Sequence, residues 1–204
     1  MRKVLLKALI VLAVSLAVAT PQWARANAIT VLGNSDAHDC FLNASTRSSA
    51  ADSLESCKQA LRTGELSTRD HAATLVNMGI ILNALARMDE AMKVFNDALA
   101  RSPNLPEAVL SRGNSHFLRK DYDLAIADYE RSLEYGVKDP AAAHFNHGMA
   151  HGKKKNFKQA AHSYLRALEL NPDFRRAQAR LDRLDKMGLS KQAAPRPKPP
   201  TTRQ

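Results

Sequence analysis

Small and apolar positions recur along the middle of the chain at fixed offsets from a glycine. Gly79, Ala91, Phe95, Ala98 and Pro103 form one set; Gly113, Ala125, Tyr129 and Ser132 form a second; Gly148, Ala160, Tyr164, Ala167 and Pro172 form a third. In each set the steps from the glycine are +12, +16 and +19, with proline at +24 in the first and third. The spacing predicts pairs of antiparallel helices that cross closely at the glycine and at the two small positions, where a bulky side chain would force them apart. The aromatic, one turn after the first small residue, fills the gap beside that crossing. Proline then ends the second helix, because it lacks an N–H and disfavours helix in the residue before it. Two further apolar patterns flank the sets. An unbroken apolar run covers Ala8 to Ala19, and Ala177, Leu181 and Leu184 form a stripe predicting one more helix over 173–187.

A period of 34 and then 35 residues with this small–aromatic–small signature resembles the tetratricopeptide repeat (TPR) family. The resemblance implies an all-α, right-handed superhelical solenoid of antiparallel helix pairs, with repeats at 72–105, 106–139 and 141–174. Leu75, Met78, Leu82 and Val109 fill other apolar slots of the pattern. Val137 stands where the second repeat would have proline, and Pro140 is an extra residue before the third, so the turn there should be one residue longer. Arg112, His116, His144, His147 and His151 occupy slots usually filled by large apolar side chains, which predicts polar seams between those helices.

The ends of the chain differ from the repeats. Arg2, Lys3 and Lys7 precede the apolar run, Pro21 breaks it, and small-x-small sequences end at Ala26 and Ala28. That is the pattern of a secretory signal peptide over 1–28, cleaved after Ala26 or Ala28 and delivering a periplasmic or secreted protein. The run is shorter than the ~20 residues that a spanning helix needs, so no stable membrane insertion is expected after cleavage. Residues 29–71 read as a degenerate repeat. Aligned to the pattern, Cys40 and Cys57 fall on facing helices of one hairpin, with Ser45–Ser49 as its turn, and an oxidising compartment favours a disulfide between them. After the repeats of 72–188 and their capping helix, residues 189–204 are basic, proline-rich and without apolar periodicity, the composition of a disordered tail.

Charge narrows the partner. The formal net charge is +10, but four basic residues lie in the leader and four in the tail, with no acidic residue in either. The folded body is left at +2, which argues against nucleic acid. No nucleophile elbow, zinc-protease or phosphate-loop motif is present, so no catalytic residue and no cofactor are expected. His144, His147 and His151 share one helix face and His116 repeats the slot of His151 one repeat earlier; they either pack the seams or bind and deliver a metal. The resemblance implies a concave face lined by Val76, Asn77 and Ile80, by Leu110, Asn114 and Phe117, and by Phe145, Asn146 and Met149. Its asparagines are of the type that bonds a peptide backbone. Valine, leucine and phenylalanine occupy the slot at which relatives that grip a terminal carboxylate carry lysine. The expected function is therefore a non-enzymatic scaffold whose open apolar groove takes a helix or extended segment of another protein, with a homo-oligomer left open.

Overall fold

The computed structural model describes residues 28–31, 35–46, 52–63 and 66–189. The leader up to residue 27, the core of the 45–49 turn and the tail from residue 190 lie outside the described residues. Those that are described form nine helices and no strand: α1 (Ser35–Thr46), α2 (Ser53–Arg62), α3 (Thr68–Ala84), α4 (Met88–Arg101), α5 (Pro106–Arg119), α6 (Tyr122–Glu134), α7 (Pro140–Lys153), α8 (Phe157–Leu170) and α9 (Arg175–Lys186). Helices pair in sequence, and the first members α1, α3, α5 and α7 lie side by side. This is an all-α repeat solenoid. α1 runs through Ser45 and Thr46, so the first turn starts later than the sequence suggests.

The boundaries follow from local chemistry. Ser67 caps α3, its Oγ accepting the Asp70 N–H at 3.1 Å. Asp139 caps α7 by accepting the Ala142 N–H at 3.0 Å. Pro106 and Pro140 sit at the first position of α5 and α7, where a missing N–H has no consequence. The longer turn before α7 is present: Gly136 takes φ +75° and Val137 tucks into the core. Each turn inside a repeat places a residue in the left-handed region seven positions after the glycine: Ala86, Lys120 and Lys155.

The nearest neighbour of each repeat glycine is the aromatic ring, not one of the small residues expected. A Cβ on Gly79 would stand 2.5 Å from the Phe95 ring, one on Gly113 2.9 Å from Tyr129, and one on Gly148 2.7 Å from Tyr164. The aromatic ring lies directly over the missing side chain rather than beside the crossing. Ala91, Ala98, Ala125, Ser132, Ala160 and Ala167 are fully buried and let the backbones approach closely enough for that contact. In the degenerate hairpin a disulfide stands in the place of the ring contact. Cys57 holds the aromatic slot, and it is bonded to Cys40 with their Cα atoms 4.8 Å apart.

This geometry separates two kinds of glycine within one helix. Gly148→Ala forces the Tyr164 ring to move and should destabilise by about 1–3 kcal/mol. Gly152→Ala, four residues later, meets nothing closer than 3.7 Å and should leave stability equal or raise it by up to about 1 kcal/mol through helix propensity. Urea titration of the two variants tests the difference.

Candidate functional site

The concave side of the solenoid is built by α3, α5 and α7, and the structure corrects the expectation that its apolar side chains stand open. Val76, Asn77, Ile80, Leu110, Asn114, Phe117, Phe145, Asn146 and Met149 are all buried, none more than 8% exposed. Two elements outside the regular repeats account for much of this. At one end, residues 28–31 pack on α3: Val31 is buried against Ala73, Ala37 and Ala60, and Ile29 packs at the edge of the same cluster. At the other end, α9 takes the place that the first helix of a further repeat would hold. Phe174 lies 5.0 Å from the Phe145 ring, and the Arg176 guanidinium stands over Phe145 at 5.7 Å. Leu181 and Leu184 complete the cluster containing Met149. Leu110 and Phe117 belong to that cluster as well.

The asparagines behave as backbone-bonding residues, and the backbone one of them holds is the chain's own. Asn77 Oδ1 accepts the Ile29 N–H at 2.9 Å, and Asn77 Nδ2 donates to the Ile29 carbonyl at 2.8 Å. One amide thus satisfies both main-chain groups of a residue outside any helix. Farther along, the amides pair across the seams between neighbouring helices. Asn83 bonds Ser115 at 2.8 Å, Asn146 Nδ2 donates to Asn114 Oδ1 at 3.0 Å, and the Tyr129 hydroxyl donates to the same Asn114 oxygen at 3.0 Å. Asn146 Oδ1 is left buried with no partner among the described residues.

The position just before each repeat glycine faces the position just before each aromatic. In the second repeat Arg112 bonds both oxygens of Asp128, at 2.7 and 2.8 Å, while its Nη1 reaches Asn96 at 3.1 Å. In the third repeat His147 Nδ1 faces the Ser163 hydroxyl at 2.8 Å and His147 Nε2 faces Glu130 at 3.3 Å. A neutral imidazole with its proton on Nε2 donates to Glu130 and accepts at Nδ1 from Ser163, whose hydroxyl also stands 2.8 Å from the Gln159 carbonyl. The His151 ring stands edge-on to His147 with centroids 4.5 Å apart. His116 lies 3.8 Å from Asp121 and 3.9 Å from Asp128. Among the described residues no group of three or more His, Cys, Asp or Glu side chains converges to hold a metal ion. The four histidines of the sequence pattern are thus distributed along two seams, not gathered at one point.

Two cavities remain open near the C-terminal end of the concave side. One, of about 330 Å³, lies between α7, α8 and α9; the other, of about 250 Å³, lies where the α8–α9 turn meets Asn146 and Phe145. The sequence pattern did not indicate them, because both depend on how α9 docks. The larger has one legible sign, Met149, which stands where the preceding repeat has Asn114.

Two family models described as tetratricopeptide repeat match the chain, one over residues 84–143 and one over 141–174. Protein CTR9 homolog of Arabidopsis thaliana is 28% identical over 101 residues, half of this chain but 9% of that protein. The chain therefore spans about a tenth of the length of that relative. Among solved structures it resembles the first TPR of Spaghetti (RPAP3) bound to the HSP90 peptide SRMEEVD, at 22% identity and a TM-score of 0.55, covering 58% of this chain and 94% of that one. It also resembles MamA from Desulfovibrio magneticus RS-1, at 22% identity and a TM-score of 0.61, covering 78% and 89%.

Burial holds the His147 and His151 imidazoles neutral, with pKa values pushed from the ordinary 6.5 down to about 4. His144 and His162 reinforce the effect at His147; His147 and Lys154 reinforce it at His151, against Glu130 and Asp123. His116 and His144 move in the same direction, also through burial. The unfolded chain takes up protons below pH 6.5 and the fold does not, so stability is complete above that pH and falls as pH drops toward 4. Melting curves from about pH 7.5 to about pH 4.5 should show this loss, and His147→Gln with His151→Gln should flatten the slope whatever it does to the absolute melting temperature.

Proposed function

The chain belongs to the tetratricopeptide repeat family, and from that premise we propose that it is a non-enzymatic scaffold of the cell envelope that holds an extended segment of another protein along α3, α5 and α7. The observation that carries this reading is the Asn77 clamp. A side chain on the concave side bonds the N–H and the carbonyl of one extended residue, the two contacts that recognise main chain irrespective of sequence. Asn146 occupies the same register in the third repeat with one amide oxygen unpartnered. A structural neighbour in complex with a peptide supports the same class of ligand. Because the apolar side chains beneath are covered, the partner is read through amides and through the edges of the groove, where Leu118 is half-buried and Lys153 exposed.

Placement in the envelope rests on the basic start, the apolar run and the small-x-small sequence of the leader. The Cys40–Cys57 bond is in keeping with an oxidising compartment. Ala28 packs against the core beside Ile29, and this favours cleavage after Ala26 over cleavage after Ala28, since the latter would set a charged α-amine against the clamp. N-terminal sequencing of the exported protein should therefore begin at Asn27. An N-terminus at Ile29 would overturn that choice of site.

The scaffold reading is tested by site-specific photo-cross-linking in intact cells. A photoreactive residue at Leu118 or Lys153 should capture one defined protein, while the same residue at Leu124, an exposed position of α6 at 54%, should not. Capture from Leu124 alone would put the partner on the outer face and end the groove reading.

A further inference from the structure

The larger cavity has a chemistry that the rest of the solenoid lacks. Its floor is apolar, made by Met149, Phe157, Leu184 and Met187, the last 57% exposed. Around it stand Lys153, Arg180 and Arg183, all exposed, and no acidic side chain lines it. Some exposed cations elsewhere are paired with a carboxylate, as Arg87 is with Glu90, Arg119 with Asp89, Lys154 with Asp123 and Arg166 with Glu169; what sets the cavity apart is that its three cations surround one apolar hollow. Lys153, Arg180 and Arg183 have no ion-pair partner among the described residues. Three unpaired cations around one apolar hollow raise the local potential for an anion and give it guanidinium forks to bond.

A second observation points the same way. Tyr164 is 97% buried by its 3% exposure, lines this cavity, and its hydroxyl has no hydrogen-bond partner among the described residues. The equivalent hydroxyl in the second repeat, that of Tyr129, donates to Asn114. Met149 at that slot offers no acceptor to Tyr164. Gly152 leaves the hydroxyl open, since a Cβ there would come into van der Waals contact with it at 3.7 Å. The ring is buried while the hydroxyl faces the cavity, where it is free to donate to a ligand. Burial raises the Tyr164 pKa to about 12, so this group donates a proton to a hydrogen bond and does not carry charge itself.

We infer that the cavity between α7, α8 and α9 is a subsite for a side-chain carboxylate flanked by apolar residues on the extended partner segment, with Tyr164, Arg180 and Arg183 as its hydrogen-bond donors. The inference rests on the scaffold reading and specifies its partner. The chain's own tail is a poor occupant, because Lys191, Arg196, Lys198 and Arg203 give it only positive charge. The cavity volume of about 330 Å³ suits one carboxylate and one or two apolar side chains, and the two methionines adapt to varied shapes.

The test uses the full mature chain and two fluorescent pentapeptides, leucine–phenylalanine–glutamate–aspartate–leucine with an amidated C-terminus and the same sequence with glutamine and asparagine as the acids' replacements. Anisotropy should show binding of the acidic peptide at least about tenfold tighter than the neutral one, declining with added salt. Tyr164→Phe, which removes only the hydroxyl, should weaken it about tenfold, and Arg180→Gln with Arg183→Gln by more. Lys93→Gln with Lys138→Gln removes the same charge elsewhere and should leave binding unchanged. Equal binding of the two peptides, an equal loss in both charge-reduced variants, or indifference to Tyr164→Phe would each overturn the subsite. So would displacement of the acidic peptide by palmitate with no competition from unlabelled peptide, which would assign the cavity to a fatty acid. Cross-linking from Leu118 that persists in the Arg180→Gln, Arg183→Gln chain alongside failed peptide binding would refute the subsite and leave the scaffold reading standing.

Discussion

The rest of the structure depends on one contact: an aromatic ring laid over a glycine where two helices cross. Close approach at that point fixes how far apart the helices of a pair stand, and the small residues at +12 and +19 exist to permit it. Once three pairs share that spacing, their first helices stack side by side at a regular interval, and whatever lies at a given register is repeated along the concave side. The contact also explains why the N-terminal hairpin can depart from the pattern. It has no glycine–ring pair, and a covalent bond between Cys40 and Cys57 holds the same two helices together. In the chain-entropy account a cross-link closing a loop of that length contributes about 3 kcal/mol, comparable with the packing it replaces.

With the spacing fixed, the pair of positions flanking the contact is free to vary in chemistry. In the first repeat it is Met78 and Val94, in the second Arg112 and Asp128, in the third His147 and Ser163. An apolar pair, a buried bidentate ion pair and a neutral hydrogen bond thus occupy one geometric slot. The ion pair gains little net stability over an apolar pair, because desolvation offsets attraction, yet losing either partner alone would strand a charge at a cost of about 3–5 kcal/mol. The histidine pair behaves differently: burial keeps the ring neutral, which makes the third repeat sensitive to pH, as the buried His116 ring does for the second.

Much of the fold was legible in the sequence because backbone spacing is a local property. The helix pairs among the described residues, the longer turn before Pro140 and the facing cysteines all follow from offsets that can be counted. The glycine environment was read less well. Small residues at +12 and +19 look like the partners of the glycine, but it is the longer reach of the aromatic at +16 that fills the space above it. The groove was read least well. Val76, Leu110, Phe145 and Met149 do sit where the repeat register places them, but exposure is a tertiary property and depends on segments outside the register. Residues 28–31 and α9 carry no repeat signature, and nothing in their sequence declares that one would bond Asn77 and the other would cover Phe145.

These two covering elements differ in what they leave behind. At the α3 end, the chain's own extended segment satisfies Asn77 completely and buries Val31, so that end is chemically closed. At the α7 end, α9 supplies apolar cover but few polar partners. Among the described residues Asn146 keeps an unpartnered oxygen, the Tyr164 hydroxyl faces the cavity, and Arg180 and Arg183 have no ion-pair partner. A solenoid whose last helix served only as a cap would present a polar outer face and a satisfied inner one. Here the inner side of the cap borders an open cavity ringed by cations and a tyrosine hydroxyl. With Asn77 engaged by Ile29 and Asn114 bonded to Asn146, the polar groups left open on the concave side lie where α9 meets α7 and α8.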